Sequence, residues 1–121
     1  MTAPNLKNPS VITGITTVVG LGTTAITGIL TNTSASNKVF KINSIFVANV
    51  DEDDTPADIS ISILRNGTDF YLAKTISVPA DATQIISSKD TYFYLEENVG
   101  IRAQASNADD LHVTISYEEI E

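Results

Sequence analysis

Proton transfer and nucleophilic attack need a base held beside its partner, and the sequence offers one histidine, His112, with no triad signature around it. On an outward strand position it reads as a solvent-facing or interface residue. The densest charge cluster, Asp51, Glu52, Asp53 and Asp54, carries carboxylates that a hard cation takes. It lacks the central glycine and the twelfth-position glutamate of a calcium loop, so it reads as a solvated turn. Glu96-Glu97 and Asp109-Asp110 read the same way. Gly20-Leu21-Gly22 lacks the third glycine and the strand-to-helix context of a dinucleotide loop, and no Walker lysine follows a glycine-rich segment. Asn32-Thr33-Ser34 and Asn66-Gly67-Thr68 satisfy the glycosylation triplet but read as turn residues. Tyr71, Tyr92, Phe93 and Tyr94 could line a sugar groove. Adjacent aromatics on a strand point to opposite faces, however, and one of those faces is usually core. No catalytic, cofactor-binding or metal-ligating residue is assigned, no cofactor is expected, and the chain is expected not to be an enzyme.

The elements that would position these residues are strands. Residues 1–10 hold Pro4 and Pro9 among polar side chains and read as an extended N-terminal arm, followed by one domain over residues 11–121. Between Val11 and Asn32 two β-rich segments flank Gly20-Leu21-Gly22, whose glycines predict a hairpin turn. Residues 38–50 form the longest apolar strand. Strict alternation puts Phe40, Ile42, Phe46, Ala48 and Val50 on one face and Ile45 and Val47 on the other, so both faces need covering, by this chain or by a neighbouring copy. Ile59, Ile61 and Ile63 alternate with serines up to Asn66-Gly67, a type I′ hairpin signal. Phe70, Leu72, Ile76 and Val78 are then expected to face inward. A short strand at residues 83–87, an aromatic strand at 91–95, the alternation of Ile101, Ala103 and Ala105, and a last strand with Leu111, Val113, Ile115 and Tyr117 inward complete the pattern. About eight strands with turn signals between them predict an all-β, two-sheet antiparallel sandwich of jelly-roll type. A closed barrel is the second choice.

Composition agrees with this class. The apolar fraction is 42%, dominated by Ile, Val, Leu and Ala, with Thr and Ser between them. β-Branched side chains keep their few rotamers on a pleated surface. The absence of cysteine excludes disulfides and thiolate metal sites and suits assembly in a reducing cytoplasm. Fifteen acids against seven bases give a formal charge of −8, which disfavours nucleic acid and anionic membrane and favours a basic partner surface. The uncharged stretch between Val11 and Leu30 is too rich in Thr and Gly for a membrane span, and the N-terminus does not read as a secretory leader.

Several segments carry a resemblance: Ile42-Asn43-Ser44-Ile45-Phe46-Val47-Ala48-Asn49-Val50, Ile59-Ser60-Ile61-Ser62-Ile63, Asn66-Gly67-Thr68, Tyr71-Leu72, Val78-Pro79-Ala80, Tyr94-Leu95-Glu96, the Ile-Arg-Ala-Gln-Ala strand and Val113-Thr114-Ile115-Ser116-Tyr117. Over residues 38–120 the chain resembles small β-sandwich virion proteins of tailed bacteriophages, particularly those of marine cyanophages. That resemblance implies a non-enzymatic virion part, assembled in the host cytoplasm. The role expected first is a capsid decoration or cement protein. A neck, tail or tail-fibre-base component is the alternative within the virion, and a carbohydrate-binding module using Tyr92 or Tyr94 is the alternative of another class. Expected partners are other copies of the chain, with a trimer as one form, and virion proteins such as the major capsid protein, with no nucleic acid, membrane or small-molecule substrate. Asn5 and Leu6 of the arm, with Ile45 and Val47 of the two-faced strand, are the candidate protein-interface residues.

Overall fold

In the computed structural model, which describes residues 4–121, nine strands form two antiparallel sheets. They are β1 (Ile12–Gly20), β2 (Thr27–Asn32), β3 (Val39–Asn49), β4 (Ala57–Arg65), β5 (Thr68–Val78), β6 (Thr83–Ser87), β7 (Phe93–Leu95), β8 (Val99–Ala105) and β9 (Leu111–Ile120). A single 3-10 turn, Lys89–Thr91, links β6 to β7, and there is no α-helix among the described residues. The first sheet runs β1-β9-β3-β6, with β7 also on β3, and the second runs β2-β8-β4-β5.

The pairings are nested: β1 with β9, β2 with β8, β3 with β6 and β7, β4 with β5. A long antiparallel ribbon whose tip is the β4–β5 hairpin has thus rolled up, and the rolling adds the pairs β3–β9 and β4–β8. This is a jelly roll. Inward side chains from both sheets meet in one cluster, including Ile42, Ile45, Val47, Ile59, Ile61, Leu95, Ile101, Leu111, Val113 and Ile115. Each such side chain contributes about 1.5–3 kcal/mol by leaving water.

Two local departures from strict alternation decide which residues reach that cluster. In β3 the register against β9 shifts between Ile42 and Ser44, so Asn43 is an extra, bulged residue. A bulge sets two residues opposite one and reverses the alternation beyond it. Phe40 and Ile42 therefore face inward together with Ile45, Val47 and Asn49, while Phe46 and Val50 are exposed. This corrects the expected faces: Ile45 and Val47 are fully buried by the opposite sheet of the same chain. In β5 the register against β4 shifts twice, with Thr75 at positive φ. Ala73 and Val78 are buried, whereas Phe70 and Leu72, expected inward, are exposed.

The expected hairpin at Gly20-Leu21-Gly22 does not form, because β1 and β2 lie in different sheets. Leu21 instead crosses between them with its side chain buried and its backbone bonded to Leu111 and Asp109. The Asn66-Gly67 turn does form, with φ of 52° and 78°, the pair of positive values a type I′ turn needs. Of the expected arm, residues 1–3 lie outside the described residues. Residues 5–8 form a turn and do not run extended: the Asn5 carboxamide accepts from the Lys7 amide at 3.0 Å, and the Asn5 carbonyl accepts from the Asn8 amide at 3.0 Å. The chain then runs beside its C-terminus, where Val11 and Glu121 exchange two backbone bonds.

A buried asparagine pins the loops at each end of the roll. Asn32 donates to the carbonyls of Lys38 (2.9 Å) and Leu95 (3.0 Å) and accepts from Ser36 Oγ (2.5 Å). Asn49 donates to the carbonyls of Thr55 (3.0 Å) and Val78 (2.9 Å) and accepts from the Asp51 amide (2.9 Å). Replacing either by alanine removes three bonds at a buried site, so Asn32→Ala and Asn49→Ala should each lose about 2–4 kcal/mol of unfolding free energy. Urea denaturation checks this; losses under about 1 kcal/mol would show that the pins are redundant.

Candidate docking surface

The side chains with chemical potential are dispersed. His112 is exposed on the outer face of the first sheet, its ring lying over Gly20, and it enters no hydrogen bond among the described residues. Asp51 spends its carboxylate inside its own loop, accepting from the amides of Asp53 (3.1 Å) and Thr55 (3.0 Å). The Asp53 amide is the main reason its pKa lies below the ordinary carboxylate value. Among the described residues, no three His, Cys, Asp or Glu side chains form a group fit to hold a metal ion. Tyr92 and Tyr94 meet edge to face at 5.9 Å, Lys41 Nζ sits 4.6 Å over the Tyr92 ring, and Lys74 Nζ sits 5.0 Å over that of Tyr71. Two of the tyrosine faces that would stack on a sugar are thus already faced by cations.

Charge is divided sharply along the roll. The loops of residues 21–26, 50–56, 79–82 and 106–110 gather at one end, tied by backbone bonds from Asp109 to Leu21, Val50 to Asp110 and Asp81 to Asn49. With the start of β4 they carry the four acids of residues 51–54 together with Asp58, Asp81, Asp109 and Asp110, and no lysine or arginine. The other seven acids equal the seven bases in number. The whole formal charge of −8 therefore resides at this end, and the rest of the molecule is balanced.

On the balanced part, the outer face of the first sheet carries an apolar row. Val18 lies opposite Thr114, Thr114 opposite Phe46, and Phe46 opposite Ile85, so one line of side chains crosses β1, β9, β3 and β6. Val18 is 71% exposed, Ile85 63% and Phe46 36%. Phe46 and Ile85 are adjacent, and Thr114 separates them from Val18; exposed apolar side chains in place of the polar ones an outer face usually carries make this the candidate docking surface. Sequence reading missed this row because the Asn43 bulge had to be known before Phe46 could be turned outward. Exposed Val18 and Ile85 carried no other signal. Of the expected interface residues, Asn5 and Leu6 are exposed in the turn before β1, and Ile45 and Val47 are inside the core.

The outer face of the second sheet is polar over β8 and β4, where Asp69 organises it, while its edge strand β5 exposes Phe70, Tyr71 and Leu72. The Asp69 carboxylate is bridged by the Arg102 guanidinium, with Nε to Oδ1 at 2.9 Å, and accepts from Ser62 Oγ at 3.0 Å.

No family model matches the sequence, and no curated protein matches it. Among solved structures, the chain is similar to a chain in the acidic stable capsid structure of Helicobacter pylori bacteriophage KHP30. The TM-score is 0.55, covering 94% of this chain and 90% of that one, at 12% identity. At that identity the likeness is one of fold: the whole roll, not a segment of it, is shared.

The Arg102 hydrogen bonds hold the Asp69 pKa below its ordinary value. A depressed carboxylate pKa stabilises the fold above the unfolded-state pKa, and that contribution is lost as pH falls through the folded value. Asp69→Asn should therefore be less stable than the parent at neutral pH, with the gap closing in acid. Thermal melts across pH test this; a gap that persists or widens below the carboxylate range contradicts the assignment.

Proposed function

We propose that the chain is a non-enzymatic structural protein of a bacteriophage virion, and within it a capsid decoration protein that binds the assembled shell. The observation that carries this reading is the fold match to the KHP30 capsid chain over nearly the full length of both. The surface supports it physically. A stable contact buries about 800 Å² per partner. The accessible surface of this chain is 6624 Å², so such a contact takes about an eighth of it. The apolar row of Val18, Phe46 and Ile85 provides a desolvated centre, and Lys41, Glu118 and His112 on the same face provide a polar rim.

The acidic end works differently. Seven carboxylates in three of these neighbouring loops, with Asp58 at the start of β4, repel the same end of another copy within about a Debye length, ~8 Å at physiological salt. Copies packed side by side, as a trimer or another ring, are therefore held with these ends apart or facing a basic surface of the shell. The N-terminal turn with Asn5 and Leu6 lies beside the C-terminus and adds contact area to a neighbour.

Val18 and Ile85 are exposed, so aspartate at either leaves folding within about 0.5 kcal/mol of the parent. The double variant Val18→Asp/Ile85→Asp should fold normally yet occupy purified particles at least about tenfold less, since desolvating two carboxylates at a contact costs more than 1.4 kcal/mol. Deletion of residues 1–10 should also lower occupancy. The parent copy number should lie in the hundreds per particle; a dozen or fewer, or unchanged occupancy of the double variant, would overturn the decoration reading.

A further inference from the structure

The end of the roll opposite the acidic loops holds a cavity of about 500 Å³, within the range of small-ligand sites. It is walled by the β2–β3 loop, the β4–β5 turn and the link from β7 to β8. Glu97, from that last link, is 6% exposed. Its Oε1 is the one buried side-chain oxygen or nitrogen among the described residues that has no hydrogen-bond partner. A carboxylate oxygen removed from water without a donor is unfavourable, and such an orphan in an otherwise satisfied structure points to a missing partner. Among the described residues the one cation lining the cavity is Arg65, and its guanidinium already bonds Glu96 at 2.5 Å. The lining therefore carries one uncompensated negative charge.

The remaining wall is matched to a particular kind of partner. Asn37, Asn66 and Asn98 all line the cavity in left-handed backbone conformation, with φ of 59°, 52° and 66°. None of their carboxamides enters a hydrogen bond among the described residues, so three neutral acceptors stand free beside the unmatched charge. Val99 and Ala35 add an apolar wall. An anion is excluded by Glu97. A hard dication wants six to eight oxygen ligands with several carboxylates, whereas this cavity has one free carboxylate, a guanidinium nearby and no metal-holding group.

We propose that this cavity binds an organic cation, an ammonium or guanidinium on an aliphatic stem, with Glu97 as its counter-ion. The apolar wall takes the stem and the asparagine oxygens take the N–H groups left after Glu97. The same chemistry reaches the site from two sources, a free alkylamine or a lysine or arginine side chain of a partner protein.

The test is an amide-shift titration of the full chain with n-butylammonium and, separately, with a capped Ala-Lys-Ala peptide. Saturable shifts at Asn66, Asn98 and Val99 are expected with at least one probe. Tighter binding of the peptide assigns the site to a partner side chain, and equal or tighter binding of the amine assigns it to the free cation. Glu97→Gln should weaken binding at least about tenfold, because charge-assisted hydrogen bonds are roughly twice as strong as neutral ones. It should also melt no lower than the parent, since a buried unmatched charge is removed. Ser34→Arg, at an exposed position lining the cavity, should block binding with Glu97 intact. Absence of saturable shifts with both probes, undiminished binding by both variants, or displacement of the amine by millimolar calcium would overturn the proposal.

Discussion

The pairing of β3 with β9 holds the first sheet together, and the extra residue Asn43 within it determines what each face of that sheet is made of. Before the bulge, Phe40 and Ile42 point inward; after it, the inward positions are Ile45, Val47 and Asn49. Had the strand kept strict alternation, Phe46, Ala48 and Val50 would fill the core, and Ile45, Val47 and the Asn49 carboxamide would face solvent. The bulge thus buries an asparagine whose bonds gather the neighbouring loops and turns Phe46 into the centre of the outer apolar row. Core, loop pinning and the outer apolar row follow from the same register shift.

The two ends of the roll share a construction and differ in chemistry. Asn49 secures one set of loops and Asn32 the other, each by two donated bonds and one accepted bond. A buried carboxamide suits this role because it both donates and accepts, satisfying main-chain groups that loops leave unpaired. Around Asn49 the loops and the start of β4 carry the entire net charge of the chain, which disfavours like-charged neighbours at that end. Around Asn32 the loops enclose the cavity with Glu97. The broad faces between them are balanced in charge.

Much of this was legible in the sequence. The β-branched composition, the alternation in β4, β8 and β9 and the Asn66-Gly67 turn gave a two-sheet roll with those strands correctly faced. Alternation failed where the backbone carries a bulge, in β3 and β5, because one unpaired residue reverses every later assignment and leaves no compositional trace. The Gly20-Leu21-Gly22 segment misled for a related reason: paired glycines permit a tight turn, but Leu21 is needed in the core, and its burial draws the chain across to the other sheet. The cavity was equally hidden, since Glu96 and Glu97 are adjacent in sequence yet one is matched by Arg65 and the other is buried without a partner. Only the tertiary placement of β4 and β7 separates them.

The absence of cysteine from the sequence makes solvent labelling the most direct measurement of whether the outer face of the first sheet is the docking face. Single variants Val18→Cys, Ile85→Cys and, on the opposite sheet, Gln104→Cys would be labelled with a maleimide in the free protein and on assembled particles. All three should label readily when free, and on particles the first two should be protected while Gln104→Cys stays reactive. Equal labelling of all three on the particle, or protection of Gln104→Cys alone, would contradict the account.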